Sequence, residues 1–395
     1  MQNKMTNLPQ GWKVKTLSEI SEIVTGSTPS KSNLDFYGKD YPFFKPSDFE
    51  QGYFLENAGD NLSKLGFDKA RQLPPKTILV VCIGSLGKVA LTRVIGSCNQ
   101  QINAIIPHKN IIAEYIYYYC ISSKFQSILF SKAPQTTLAI LNKTEFSKLE
   151  IIYPKDIKEQ ERIVRILDES FANIDESIKI LEQDLLNLDE LMQSALQKAF
   201  NPLKDNAKEN YKLPQGWEWK SLEEISENIS AGGDKPKNCT ESKTAKNQIP
   251  VYANGVNNNG LVGYTDKATI IKPSLTISAR GTIGFVCIRK EPYFPIVRLI
   301  SLIPCENILC LHYLYFCLNF FIAKGEGSSI PQLTIPKFKS LQIPLPPLKE
   351  QEQIAKHLDF VFEKTKALKE LYTKELKDYE ELKQSLLNKA FKGEL

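Results

Sequence analysis

The chain repeats itself, and that constrains its fold more than any other feature of the sequence. Leu8-Pro9-Gln10-Gly11-Trp12 returns as Leu213-Pro214-Gln215-Gly216-Trp217, 205 residues later. Lys15, Leu17, Glu19, Ile20, Ser21 and Glu22 face Lys220, Leu222, Glu224, Ile225, Ser226 and Glu227 at the same offset. Gly84-Ser85-Leu86-Gly87 faces Gly281-Thr282-Ile283-Gly284. Near the end of each copy the offset is 191: Lys158-Glu159-Gln160-Glu161 faces Lys349-Glu350-Gln351-Glu352, and Lys198-Ala199-Phe200 faces Lys389-Ala390-Phe391. The copies agree at their edges and differ inside. Residues 30–75 and 234–272 share only a Pro-aromatic trace, Tyr41-Pro42-Phe43-Phe44 against Ile249-Pro250-Val251-Tyr252. Readers of two different targets would give this pattern, and so would drift in surface loops.

Each copy ends in a long helical pattern. Leu167, Phe171, Ile174, Ile178, Leu181, Leu185, Leu188, Met192, Ala195 and Ala199 recur at alternating intervals of four and three, a heptad seam. The second seam runs through Leu358, Phe362, Thr365, Tyr372, Leu376, Tyr379, Leu386 and Ala390. Lys369 and Lys383 interrupt it, which implies local shifts or snorkelling stems. About 42 residues of helix span roughly 60 Å. Such a stripe cannot be covered by a small domain, so each helix needs a partner of similar length, and the duplication supplies one. The expected fold is α+β, with two similar globular domains joined by two long antiparallel coiled-coil helices in a pseudo-two-fold repeat. The boundaries read as 1–155, first globular half; 156–200, central helix; 201–212, linker; 213–348, second half; and 349–395, C-terminal helix. Strands are expected at Thr77–Ile83, Ile102–Pro107, Leu149–Tyr153, Ser274–Ser278, Arg298–Ile303 and Leu341–Leu345, with helical stretches near Ser18–Ile23 and Ile111–Phe130.

Charge follows the same division. Residues 1–155 carry 18 Lys/Arg against 12 Asp/Glu, and 213–348 carry 14 against 10, whereas 156–200 carry 5 against 11. Both globular halves are basic, which suits a polyanion. Chemistry is sparsely represented. The three histidines, His108, His312 and His357, form no metal-binding motif, and the eight cysteines include no CxxC pair, so buried free thiols in a reducing cytoplasm are expected. Gly84 to Lys88 resembles a phosphate loop but lacks its spacing and has Val89 where Ser or Thr would hold magnesium; a tight turn between strands accounts for it. No GxSxG or Asn-Pro-Pro-aromatic segment occurs. No apolar run approaches the roughly 18 residues of a membrane span. The residues point to a chain that performs no chemistry itself.

Together these features resemble the specificity subunit of Type I restriction–modification systems. The segments that carry the resemblance are Leu8 to Trp12 with Gly26-Ser27-Thr28-Pro29, Leu213 to Trp217 with Ala231 to Pro236, the helix openings Lys158 to Ile163 and Leu345 to Ile354, and the helix ends Leu196 to Phe200 and Leu387 to Leu395. The second copy departs at Gly232-Gly233-Asp234-Lys235-Pro236. The resemblance implies that each half is a target-recognition domain reading one half of a split site in double-stranded DNA. It also implies helices that act as a spacer and bind two methyltransferase subunits, with restriction subunits joining the full cytoplasmic complex. S-adenosylmethionine, ATP and magnesium would belong to those partners, and this chain would hold no cofactor or metal. The residues alone leave open a coiled-coil adaptor or scaffold that does not read sequence.

Chemistry and turn position select candidate DNA contacts: Lys31, Lys45, Lys88, Arg93, Gln135 and Thr136 in the first half, and Lys235, Lys237, Lys272, Arg280, Ser328 and Gln332 in the second. Lysines and arginines would neutralise phosphates, and side chains in the divergent loops would read base edges. Half-sites would then lie on the order of 10 bp apart, centre to centre. Shortening both helices by one turn should alter the spacing of the site while leaving both half-sites readable; methylation mapping of the deletion variant checks this.

Overall fold

The first matched segment of each copy folds because it caps itself. In the computed structural model, which describes residues 8–133, 139–200, 213–322 and 333–395, Leu17–Ile20 and Leu222–Ile225 are single helical turns. Glu19 accepts from the Thr16 amide at 2.7 Å, and Glu224 accepts from the Ser221 amide at 2.8 Å. These are capping boxes, and they explain why Glu recurs at that position. Leu17, Ile20, Leu222 and Ile225 are buried, which accounts for the matched apolar pair. The helix expected over Ser18–Ile23 stops at Ile20 because burial switches to a period of two: Ser21 and Ile23 are buried around exposed Glu22, and Ser21–Thr25 is a strand.

The described residues divide into two compact units. One holds the residues up to Leu181 together with Thr373–Leu395, the other Glu182–Tyr372. In the first unit Trp12–Thr16 pairs antiparallel with Glu150–Pro154. A five-stranded sheet runs in the order Ser21–Thr25, Ile102–Pro107, Ile78–Val81, Val89–Thr92, Phe54–Leu55, and a three-stranded sheet holds Tyr37–Phe44 between Asp60–Leu62 and Ser97–Cys98. The second unit repeats this plan. Glu218–Ser221 pairs with Gln342–Leu345. Its four-stranded sheet is ordered Ser226–Ala231, Ile300–Pro304, Ser274–Ile277, Val286–Arg289, and its three-stranded sheet holds Ile249–Tyr252 between Leu261–Thr265 and Phe294–Pro295. The Pro-aromatic trace is therefore a shared strand: Phe43 faces Ser97 in one unit and Val251 faces Phe294 in the other, both in parallel register. The helix expected over Ile111–Phe130 is two helices, Ala113–Ile121 and Ser123–Lys132. Ser122 divides them, extended at φ −67° and ψ 144°, with its hydroxyl accepting from the Phe125 amide. All eight cysteines are free, and burial pushes the Cys82 and Cys98 thiols up to about 12.

The long helices are Ile157–Phe200 and Leu348–Ala390. Leu167, Ile174, Leu181, Leu358, Thr365 and Ala390 on their seams are buried; Phe171, Ile178, Leu185, Leu188, Phe362, Tyr372, Leu376, Tyr379 and Leu386 are half-buried. Lys369 and Lys383 do not shift the register. They hold the seam positions that match Ile178 and Met192, and each meets an aspartate of the other long helix: Lys369 pairs with Asp189, and Lys383 with Asp175 at 2.6 Å. The Lys383 ammonium lies 5.8 Å from the Phe171 ring centre, so its stem stays in the seam while its charge reaches out.

A glutamine joins each long helix to its globular half. The Gln160 side chain accepts from the Ile112 amide at 2.9 Å and donates to the carbonyls of Pro154 at 2.9 Å and Asn110 at 3.3 Å. Gln351 repeats every bond, accepting from Cys310 at 2.9 Å and donating to Pro346 at 2.8 Å and Ile308 at 2.9 Å. Both glutamines are fully buried. Replacing either by leucine strips partners from three backbone groups and should destabilise its unit by on the order of 2–3 kcal/mol, read by urea unfolding.

Candidate nucleic-acid interface

Three loops meet at one sheet edge in each unit, and glycine makes the meeting possible. In the first unit the Gly26 amide donates to the Ile102 carbonyl at 3.1 Å, and the Ser27 amide to that of Cys98 at 2.9 Å. A Cβ on Gly26 would overlap the carbonyl oxygens of Cys98 and Asn99. In the second unit the Gly232 amide donates to Leu299 at 2.8 Å, and a Cβ there would lie 2.6 Å from the Ile296 nitrogen. Gly232 therefore does the work of Gly26 despite the altered residues around it. Gln101 ties in the turn after Ile78–Val81 by accepting from the Cys82 amide through its carbonyl at 2.8 Å. In the second unit a side chain makes the tie. Asn254 accepts from the Ala279 amide at 2.8 Å and donates to the Val297 carbonyl at 2.6 Å.

What the edge presents differs between the units. In the first it is Gln100, exposed and accepting from the Thr28 hydroxyl at 2.5 Å, while buried Asn99 donates inward to half-buried Gln101 at 2.8 Å. In the second it is Val297 and Arg298, both exposed. The strand expected from Arg298 begins only at Ile300, because Val297 and Arg298 have left-handed backbone, φ 53° and 60°. Asn99 to Gln101, Asn254, Val297 and Arg298 were not among the sequence candidates. The available signals were the Asn254-Gly255 turn doublet and the break in the repeat before Ile102 and Ile300.

The sequence candidates do not all collect there. Lys31 is exposed in the turn that continues the Gly26 loop, and Lys88 leaves the Gly84–Gly87 turn, where it pairs with Glu50 and holds that carboxyl below its usual range. Lys45 follows Phe44, whose carbonyl accepts from the Asn99 amide at 3.1 Å, and it pairs with Asp60. Lys235 and Lys237 are exposed in the Gly232 loop, and Arg280 is exposed next to Ala279. Two candidates lie elsewhere. Arg93 sits at the far end of Val89–Thr92 from Lys88, 3.6 Å over the Phe54 ring and 3.1 Å from Glu56, on a groove shared with Asp168 and Phe171. Lys272 bonds Glu227 at 2.6 Å, at the opposite end of Ser226–Ala231 from Gly232, and this carboxylate raises its pKa. Gln135, Thr136, Ser328 and Gln332 lie outside the described residues.

Comparison with known proteins bears on what such a duplicated edge is for. The family model described as Type I restriction modification DNA specificity domain matches residues 9–185 and 214–378, one match in each copy. The chain belongs to this family. The chain is 38% identical over 176 residues to the specificity subunit of Type I restriction enzyme HindI of Haemophilus influenzae, covering 43% of this chain and 38% of that one. A putative type I specificity subunit of Mycoplasma pneumoniae is 36% identical over 152 residues, covering 38% and 42%. These alignments span about two fifths of each relative. The MjaIX specificity subunit of Methanocaldococcus jannaschii aligns over 86% of this chain and 84% of its own length at 24% identity. In fold, the chain is similar to one solved in work on complex assembly and conformational transition of the type I R-M system, with a TM-score of 0.82, 19% identity and coverage of 99% and 100%. It is also similar to the HsdS subunit of Thermoanaerobacter tengcongensis, with a TM-score of 0.63, 19% identity and full coverage of both chains. The architecture of this specificity-family chain is α+β with an internal repeat. Among its described residues no helix is long and apolar enough to cross a membrane.

Asn254→Ala should free the Ala279 amide and the Val297 carbonyl together. Faster hydrogen exchange confined to the segments around Ala279 and Val297, with a loss of roughly 1–2 kcal/mol, is the expected result.

Proposed function

We propose that the chain is the DNA-reading subunit of a type I restriction–modification assembly, recognising a bipartite, asymmetric site. The observation that carries this reading is the three-loop edge. A glycine amide bonds the neighbouring strand in the same way in both units, yet the loop before that strand exposes Gln100 in one and Val297 with Arg298 in the other. Exposed lysines in the Gly26 and Gly232 loops supply phosphate contacts, which set orientation without reading sequence. The differing side chains supply base contacts.

The long helices separate the readers and dock methyltransferase subunits. Each carries a second apolar stripe beyond its seam. Ile180 and Leu191 are 55% and 52% exposed, and Leu371 and Leu382, which match them in the repeat, are 61% and 45% exposed. An interval of eleven residues is three turns, so each pair shares a face open to a partner helix. In this reading the chain is non-catalytic and works in the cytoplasm. Two methyltransferase subunits and the restriction subunits bring S-adenosylmethionine, ATP and magnesium.

Mapping methylated bases in cells that carry the complete system tests the proposal. Two different half-sites separated by a fixed non-specific spacer are expected, and one unbroken or palindromic consensus would overturn it. Binding that unrelated DNA competes away, without a footprint, would favour the adaptor reading instead.

A further inference from the structure

The least comfortable backbone in the described chain lies at the edge of the second unit. Val297 is β-branched and has φ 53°, in the left-handed region that such residues avoid. Arg298 follows at φ 60°. Neither side chain gains burial from this strain, since Val297 is 51% exposed and Arg298 is exposed as well.

The surrounding structure enforces the turn. The Val297 amide donates to the Gly233 carbonyl at 2.8 Å, the Arg298 amide to that of Gly232 at 2.9 Å, and Asn254 holds the Val297 carbonyl. The backbone is thus fixed at both residues, while an isopropyl group and a guanidinium project from it. Among the described residues Arg298 makes no ion pair, whereas Lys45, Lys88, Arg93 and Lys272 each face a carboxylate. Strain that a fold maintains without packing return is found where a ligand is met. The matching loop of the first unit carries Gln100 on backbone outside the left-handed region, so the strained turn and its side chains belong to the second unit alone.

We infer that the Val297–Arg298 turn is a base-reading element of the second half, an assignment that rests on the DNA-reading function proposed above. Arg298 donates two parallel hydrogen bonds to O6 and N7 of a guanine in the major groove, and Val297 packs on the methyl group of an adjacent thymine. The turn's rigidity serves this contact, because a guanidinium on a fixed backbone loses less freedom on binding.

The test uses the full chain assembled with its methyltransferase partner, reading methylated sites and affinity for wild-type and variant half-sites. Arg298→Gln should weaken binding to the wild-type site roughly 10- to 100-fold and change the preferred base at one position of one half-site, leaving the other half-site and the spacing intact. A uniform loss across all sequences would make Arg298 a phosphate contact and overturn the assignment, as would an unchanged consensus with unchanged affinity. Val297→Gly separates strain from reading. Relief of the left-handed strain should leave Tm at or above wild type while discrimination at the neighbouring position falls; a lower Tm with an unchanged site would make the turn merely structural. If the wild-type assembly marks no bipartite site, the functional reading itself falls. A bipartite site indifferent to both variants removes only the role of this turn.

Discussion

Neither copy of the repeat completes its own core. Phe200 closes the first copy in sequence, yet its ring lies 5.4 Å from Tyr313 and 5.8 Å from Phe320, in the core of the second unit. Phe391 closes the second copy and lies 4.9 Å from Tyr119 and 5.5 Å from Tyr115, in the core of the first. An aromatic side chain of this kind buries on the order of 150–250 Å². Each globular half is therefore finished by the helix end of the other copy. This exchange explains why Lys-Ala-Phe recurs at both helix ends and why the compact units do not follow the sequence copies. It also makes the helices structurally indispensable. Removing one would open the core of the half it enters, in addition to changing any spacing.

A helix that must end in one core and begin in another needs a defined direction at its start, and the buried glutamines provide it. A charged or apolar side chain at Gln160 could not both accept from the Ile112 amide and donate to two carbonyls. Tyr115 and Tyr313 reinforce the joint, their hydroxyls donating to the carbonyls of Ile152 at 2.9 Å and Pro344 at 2.7 Å. Both bonds grip the strand that runs into the helix. The matched edges of the repeat thus carry directional polar contacts, which tolerate little change. The loops between them are held by backbone bonds, glycine clearance and, in the second unit, the Asn254 side chain, which leave the outward side chains free to differ.

Much of this was legible in sequence because it depends on periodicity and identity. The doubled α+β plan and the long helices follow from apolar spacing and from a repeat that survives as matched words. What escaped depends on single atoms meeting across long sequence separations. Gln160 inside Lys-Glu-Gln-Glu reads as one more polar residue on a solvated helix start, and only the fold brings Asn110 and Ile112 against it. Lys369 and Lys383 read as interruptions because their partners, Asp189 and Asp175, are far away in sequence. The strand expected from Arg298 starts later because Val297 and Arg298 are left-handed, a conformation that a β-branched residue gives no sign of in sequence. Among the candidate contacts, turn position picked out the lysines of the Gly26 and Gly232 loops. The same criteria admitted Arg93 and Lys272, which lie at the other ends of their strands beside Glu56 and Glu227.

The distribution of strain and satisfaction separates what must persist from what can be retuned. At the joints every buried polar atom of the glutamines is bonded, so substitution there costs stability before it touches recognition. At the loop edge the bonds are made by backbone and, in the second unit, by the Asn254 side chain, so the outward side chains of Gln100, Val297 and Arg298 can be exchanged without undoing them. Specificity can then change by substitution at the edge while the helices, the exchanged phenylalanines and any partner surface stay constant. The second unit has gone further than the first, trading the relaxed amides at Asn99 to Gln101 for a turn that no isolated peptide of that sequence would prefer. Such a turn survives only because Gly232, Gly233 and Asn254 determine its backbone together. The turn is thus tied to the second unit's own Gly232, Gly233 and Asn254, and there a change of reader would need a compensating change of scaffold.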